Sequence, residues 1–132
     1  MATMTLDRGG GTLSVKIAVG PLQKTFWSVS KRSPQAGGGY GDWHTVSIFD
    51  DQSGGAVNQT VAVGDCANLI GSQISIVFFV ARVNFSQADP YRIAAEFFCA
   101  SNAPIAGKKQ ADSGNLDQTH IVEQFDFVVA AA

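Results

Sequence analysis

The sequence predicts an all-β fold, an antiparallel sandwich of jelly-roll or immunoglobulin-like type with seven to eight strands. Three observations predict it. The chain holds 13 Val and 8 Ile against 5 Leu, and β-branched side chains suit a pleated, half-buried surface. Glu occurs only at Glu96 and Glu123 while Asp occurs nine times, so helix-face residues are scarce and turn residues abundant. Most segments also alternate apolar and polar residues with a period of two. The 17 alanines are the contrary sign, several of them in loops or in the Ala130–Ala132 tail. A small closed β-barrel is the alternative architecture. A parallel α/β fold is disfavoured, because no helix-sized segment separates consecutive strands. Residues 1–132 read as one domain.

Residues 1–11 end in a glycine triplet and read as a lead-in, with Thr3–Leu6 a candidate extended piece. Leu13, Val15, Ile17 and Val19 then share one parity, which predicts a strand ending at Gly20-Pro21. Thr25–Ser30 is a second strand, with Trp27 and Val29 on one face and Phe26 on the other. Residues 31–41, KRSPQAGGGYG, have no hydrophobic period and read as a loop with a flexible glycine tip. Trp43–Phe49 is a third strand, in which His44, Val46 and Ile48 share a face. Residues 50–55 read as a polar turn, and Val57–Val63 as a fourth strand.

Cys66–Ile70 is a short connection. Residues 72–85 form the strongest apolar run, with both parities apolar in the middle, and predict a central strand buried on both faces or shifted in phase by a bulge. Tyr91–Ala100 is open to two readings. Asp89-Pro90 resembles a helix start with Arg92 and Glu96 paired one turn apart, but strict alternation over Tyr91, Ile93, Ala95, Phe97 and Cys99 favours a strand. A turn at 86–90 would then close a hairpin with the preceding strand. Residues 101–117 are too long for a structureless loop, so they are functional or hide a short strand near Ile105. Ile121, Phe125, Phe127 and Val129 mark a last strand.

Charge and motifs narrow the function classes. A formal charge of −2 and a pI near 5.5 argue against a nucleic-acid or anionic-membrane partner. No apolar run is long enough to span a bilayer as a helix. No basic region followed by an apolar stretch opens the chain, so no secretory signal is read there. Lys31-Arg32 and Lys108-Lys109 read as solvated loop charge. Cys66 and Cys99 form no CxxC pair; they read as two buried small hydrophobes, with a disulfide as the alternative.

The candidate ligand-binding set is Tyr40, Asp42, Trp43, His44, Asp50 and Asp51. Its first four residues put two aromatics, a carboxylate and an imidazole at the end of a glycine-rich loop. Such a cluster suits a glycan, through an aromatic face, or a protein partner. Calcium is a weaker reading, drawing on Asp42, Asp50 and Asp51 or on Asp112, Asn115 and Asp117; neither set matches a 12-residue calcium loop. No other cofactor is expected. No nucleophile elbow or phosphate loop occurs, and His44 and His120 lie far apart in sequence. The leading expectation is therefore a non-catalytic binding module. The rivals are a self-assembling coat, shell or inclusion subunit, a homo-oligomer whose contacts would use the Ile74–Phe85 run and the Phe-rich C-terminus, and, as a second rival, a hydrolase or lyase with a dispersed site.

Overall fold

The computed structural model describes residues 1–20, 23–51, 56–82, 89–116 and 120–132. Its strands form two sheets packed face to face. One sheet has the order β1 (Ala2–Leu6), β9 (His120–Ala131), β6 (Gln73–Arg82), β3 (Gln23–Arg32) and β4 (His44–Asp51). The other has the order β5 (Val57–Asp65), β2 (Thr12–Val19), β7 (Asp89–Cys99) and β8 (Lys109–Leu116). All pairings are antiparallel except that of β1 with β9, which runs parallel from Ala2 opposite Phe127 to Leu6 opposite Ala131. One helical turn, α1 (Cys66–Leu69), follows β5 and is capped by Asp65, whose carboxylate accepts from the Ala67 N–H at 3.1 Å.

Parity decides what lies between the sheets. Leu13, Val15, Ile17 and Val19 of β2 are buried, as are Trp27 and Val29 of β3 and Ile74, Ile76, Phe78 and Val80 of β6. Ile93, Ala95, Phe97 and Cys99 of β7 lie beside the β2 residues in the four-stranded sheet, and Phe125, Phe127 and Val129 of β9 complete the opposing layer with β3 and β6. Phe97 packs edge-on against Phe127 with centroids 4.9 Å apart, and Trp27 stacks on Phe49 at 5.3 Å. Tyr91–Ala100 is thus the strand that its alternation favours, not the helix that Asp89-Pro90 suggests.

Several expectations need correction. The lead-in is built into the fold: β1 places Met4 and Leu6 in the core. The long polar stretch hides a strand, but at Lys109–Leu116 rather than around Ile105. These two additions raise the strands from the expected seven or eight to nine among the described residues. The expected hairpin between β6 and β7 is absent, because the two strands belong to different sheets; residues 83–88, where its turn would start, lie outside the described set. The β6 strand is central but not buried on both faces, since Phe79 on its outer side is exposed.

On β4 a bulge opposite Val29–Ser30 changes the phase. Val46 consequently packs against the core while Ile48 faces outward, so the two do not share a face. Finally, Lys31 and Arg32 extend β3 and are not loop charge.

Candidate functional site

The predicted site begins where β3 ends. Arg32 is the last residue of that strand, and Tyr40 returns to it through an isolated bridge between Pro34 and Tyr40. Backbone bonds close the loop: Gln35 N–H to Gly39 C=O at 3.0 Å, Gly38 N–H to Gln35 C=O at 3.2 Å and Gly41 N–H to Ser33 C=O at 2.9 Å. Gly37, Gly38 and Gly39 all have positive φ, a conformation costly for other residues, and that is what allows so tight a reversal. The segment is therefore a short hydrogen-bonded reversal, not the irregular tip that its composition suggests.

This reversal brings two of the predicted residues onto one cation. The Arg32 guanidinium carbon lies 4.5 Å from the Trp43 ring centroid and 4.9 Å from that of Tyr40. Its Nε–H donates to Gln73 Oε1 at 2.7 Å, which fixes the plane of the group. Trp43 is 42% exposed. Asp42 and His44 flank it and face solvent. Arg32 was not among the residues that the sequence marked; an Arg eleven residues from a Trp carries no signal until the chain folds back.

The rest of the set does not join them. Asp50 stands six residues beyond His44 on the extended β4 strand, on the order of 20 Å away. It pairs with Phe26 near the start of β3, whereas Arg32 ends that strand. The side chain of Asp51 lies outside the described residues. A calcium site shared by Asp42, Asp50 and Asp51 is ruled out by the separation of Asp42 from Asp50. In the second calcium set Asp117 lies outside the described residues, and Asp112 is engaged elsewhere, as follows.

A second cluster sits on the open flank of the sandwich. Short β1 pairs with β9 only from Phe127 onward, so among the described residues His120–Asp126 has no strand partner on that side. There Glu123 of β9 turns inward toward β8, and Asp112 of β8 accepts a hydrogen bond of 3.0 Å from the Tyr91 hydroxyl. Burial, then the hydrogen bond and charge of Asp112, hold the Glu123 carboxyl above its ordinary range. The Tyr91 hydroxyl is pushed up too, first by burial and then by Asp112. Two carboxyl groups from different sheets thus face each other across the flank of the sandwich. Only their encounter across the sandwich reveals this pair, since ten residues and a strand crossing separate Asp112 from Glu123.

The thiols form a third feature. Cys66 and Cys99 are free, buried and 3.5 Å apart at Sγ, under Gly10. Burial first, then the bond and charge from Cys99, push the Cys66 thiol up to about 12. A group that holds its proton so firmly is a poor nucleophile at neutral pH. His44 and His120 do not meet: His44 pairs with Lys31, whereas His120 pairs with Ala81 at the other end of β6 and stacks on Phe79 at 4.7 Å. A hollow of about 410 Å³, lined by Gly20, Tyr91, Arg92, Ser113 and Asn115 among others, opens at the end of the sandwich opposite Trp43.

No helix among the described residues is long and apolar enough to cross a membrane. No family model, curated protein or solved structure matches the chain.

Proposed function

We propose that the protein is a non-catalytic binding module whose contact surface is the Arg32–Tyr40–Trp43 cluster, and that its partner is a protein segment. The observation that carries this reading is the guanidinium held against two aromatic rings, one of them, Trp43, 42% exposed. Trp, Tyr and Arg are the side chains that dominate binding energy at protein interfaces. Gln73 and the closed loop hold the three in place before any partner arrives, which lowers the ordering cost of association. Asp42 and His44 supply a polar border to the patch.

The test is selection of a displayed peptide library on the parent protein, with a glycan array run in parallel. Selected peptides are expected to lose at least about tenfold in affinity against Trp43→Ala, the loss typical of a hot-spot aromatic. Binding confined to glycans would move the partner to carbohydrate. Absence of any ligand, or equal binding by parent and Trp43→Ala, would remove the reading.

A further inference from the structure

The outer surface of the five-stranded sheet carries an unusual row. Register aligns Phe26 of β3 with Phe79 of β6, and Phe79 with Val122 of β9, so three large apolar side chains run side by side across the strands. In the next row Ile48 of β4 lies beside Ser28, and Ser28 beside Val77. Ile48 and Val122 are 61% and 60% exposed, and Phe26 and Phe79 are exposed as well. His120 lies flat on Phe79 and extends the apolar surface. Contiguous exposed apolar patches of this kind mark contact surfaces.

We propose that this face pairs with the same face of a second copy of the chain, related by a two-fold axis. Three observations favour that occupant. The first is charge. Among the described residues the outward charged side chains of the face are Lys24 at one end, Arg32 and Asp126 toward the other, and Asp50 at the β4 edge beside Phe26, two of each sign. The face has no net charge to draw nucleic acid or an anionic membrane, and a copy turned about a two-fold meets no excess of like charge. The second is shape. The same face bears projecting side chains, Ile48 and Val122, and a hollow of about 120 Å³ lined by Lys24, Phe26, Asp50 and Phe79 among others. A self-complementary interface needs both on one surface. The third is area. Four strands spaced ~4.8 Å apart, over nine or so residues at ~3.4 Å each, give a projected footprint of about 600 Å². Side-chain relief raises the accessible area toward the roughly 800 Å² that a standard interface takes from each partner. The apolar residues lie in the middle of the face and the charged residues on its margins, Asp50 on the β4 edge and the others toward the strand ends, the layout of specific interfaces.

Sedimentation equilibrium of the full chain between about 1 and 100 μM, the range in which a micromolar dimer dissociates, tests the proposal. The parent is expected to sediment as a dimer. Val122→Asp and Ile48→Lys should each weaken the dimer at least about tenfold with unchanged circular dichroism. Thr60→Asp, on the outer surface of the other sheet, should leave it intact. Val122→Thr, which keeps a β-branched shape, replaces Val122→Asp if that variant unfolds and is expected to weaken association less. A parent that stays monomeric at about 100 μM, or outer-face variants that associate as the parent does, would overturn it.

Discussion

The two outer surfaces of the sandwich are built to different rules. Across the five-stranded sheet runs Phe26–Phe79–Val122, with Ile48 beside it. At the corresponding depth of the four-stranded sheet the aligned row is Thr60–Lys16–Glu96–Lys109, and Lys108 adds an ion pair to Glu96 at 3.8 Å. That second surface also carries Ser14, Ala18, Arg92, Ala94, Ala111 and Ser113, with Phe98 as its large exposed apolar side chain among the described residues. Both sheets contribute apolar inner faces to one core, and inner parity makes the fold. The outer parity is free to vary, and it separates a wet surface of alternating charge from a surface suited to contact.

The largest expected effect concerns what the two surfaces share. Trp27→Ala should destabilise the protein by about 3–5 kcal/mol in urea unfolding, because the indole is fully buried and stacked on Phe49. Trp27→Phe should cost clearly less, since it keeps the stack and removes an N–H that has no partner among the described residues. Next comes Gly10→Ala. The added Cβ would stand 2.9 Å from Cys99 Sγ and 3.1 Å from Cys66 Sγ, so a loss of about 1–3 kcal/mol is expected from the same measurement. A variant within error of the parent would mean that the thiols give way.

Smaller effects sharpen the contrast between the surfaces. Glu96→Lys would set like charges side by side with Lys16 and Lys109, at a cost of about 0.5–1 kcal/mol that shrinks in salt. Phe79→Lys, its counterpart on the other sheet, should act chiefly on association, read as a lower mass in sedimentation. The smallest effect is on pH dependence. With its carboxyl held above the ordinary value, folded Glu123 binds a proton more readily than the unfolded chain does. Its contribution to stability is whole below the ordinary carboxyl range and is lost as pH rises through the raised one. Glu123→Gln should therefore flatten the fall in melting temperature over that window. An unchanged slope would show that the Glu123 carboxyl is not held above its ordinary range.

Much of this fold was readable from parity, and the exceptions have physical causes. β2, β3, β5, β7 and β9 sort their buried residues as alternation predicts. β8 escaped notice because KQADSGNL turns Gln110, Asp112 and Leu116 inward, and only Leu116 is apolar. It is an edge strand on the flank, where Asp112 finds Tyr91 in place of a core. The bulge on β4 is invisible in sequence, since one extra residue leaves no composition signal; it alone separates Val46 from Ile48. The crossing of β6 to the opposite sheet was missed because alternation reports faces and not neighbours. At the candidate site Tyr40 and Trp43 were legible as loop-end aromatics, whereas Arg32 and the distance to Asp50 depend on where the strands run.

The parallel seam between β1 and β9 has a mechanical consequence. The chain enters β1 at Ala2 and leaves β9 at Ala131, with the two strands pointing the same way. Tension applied at the two ends of the chain would slide one strand lengthwise past the other, loading the rungs from Ala2–Phe127 to Leu6–Ala131 together instead of peeling them singly. Stretched between a surface and a cantilever, the molecule is expected to hold at forces well above those that open a hairpin from its tip, and shortening β1 should abolish that resistance first.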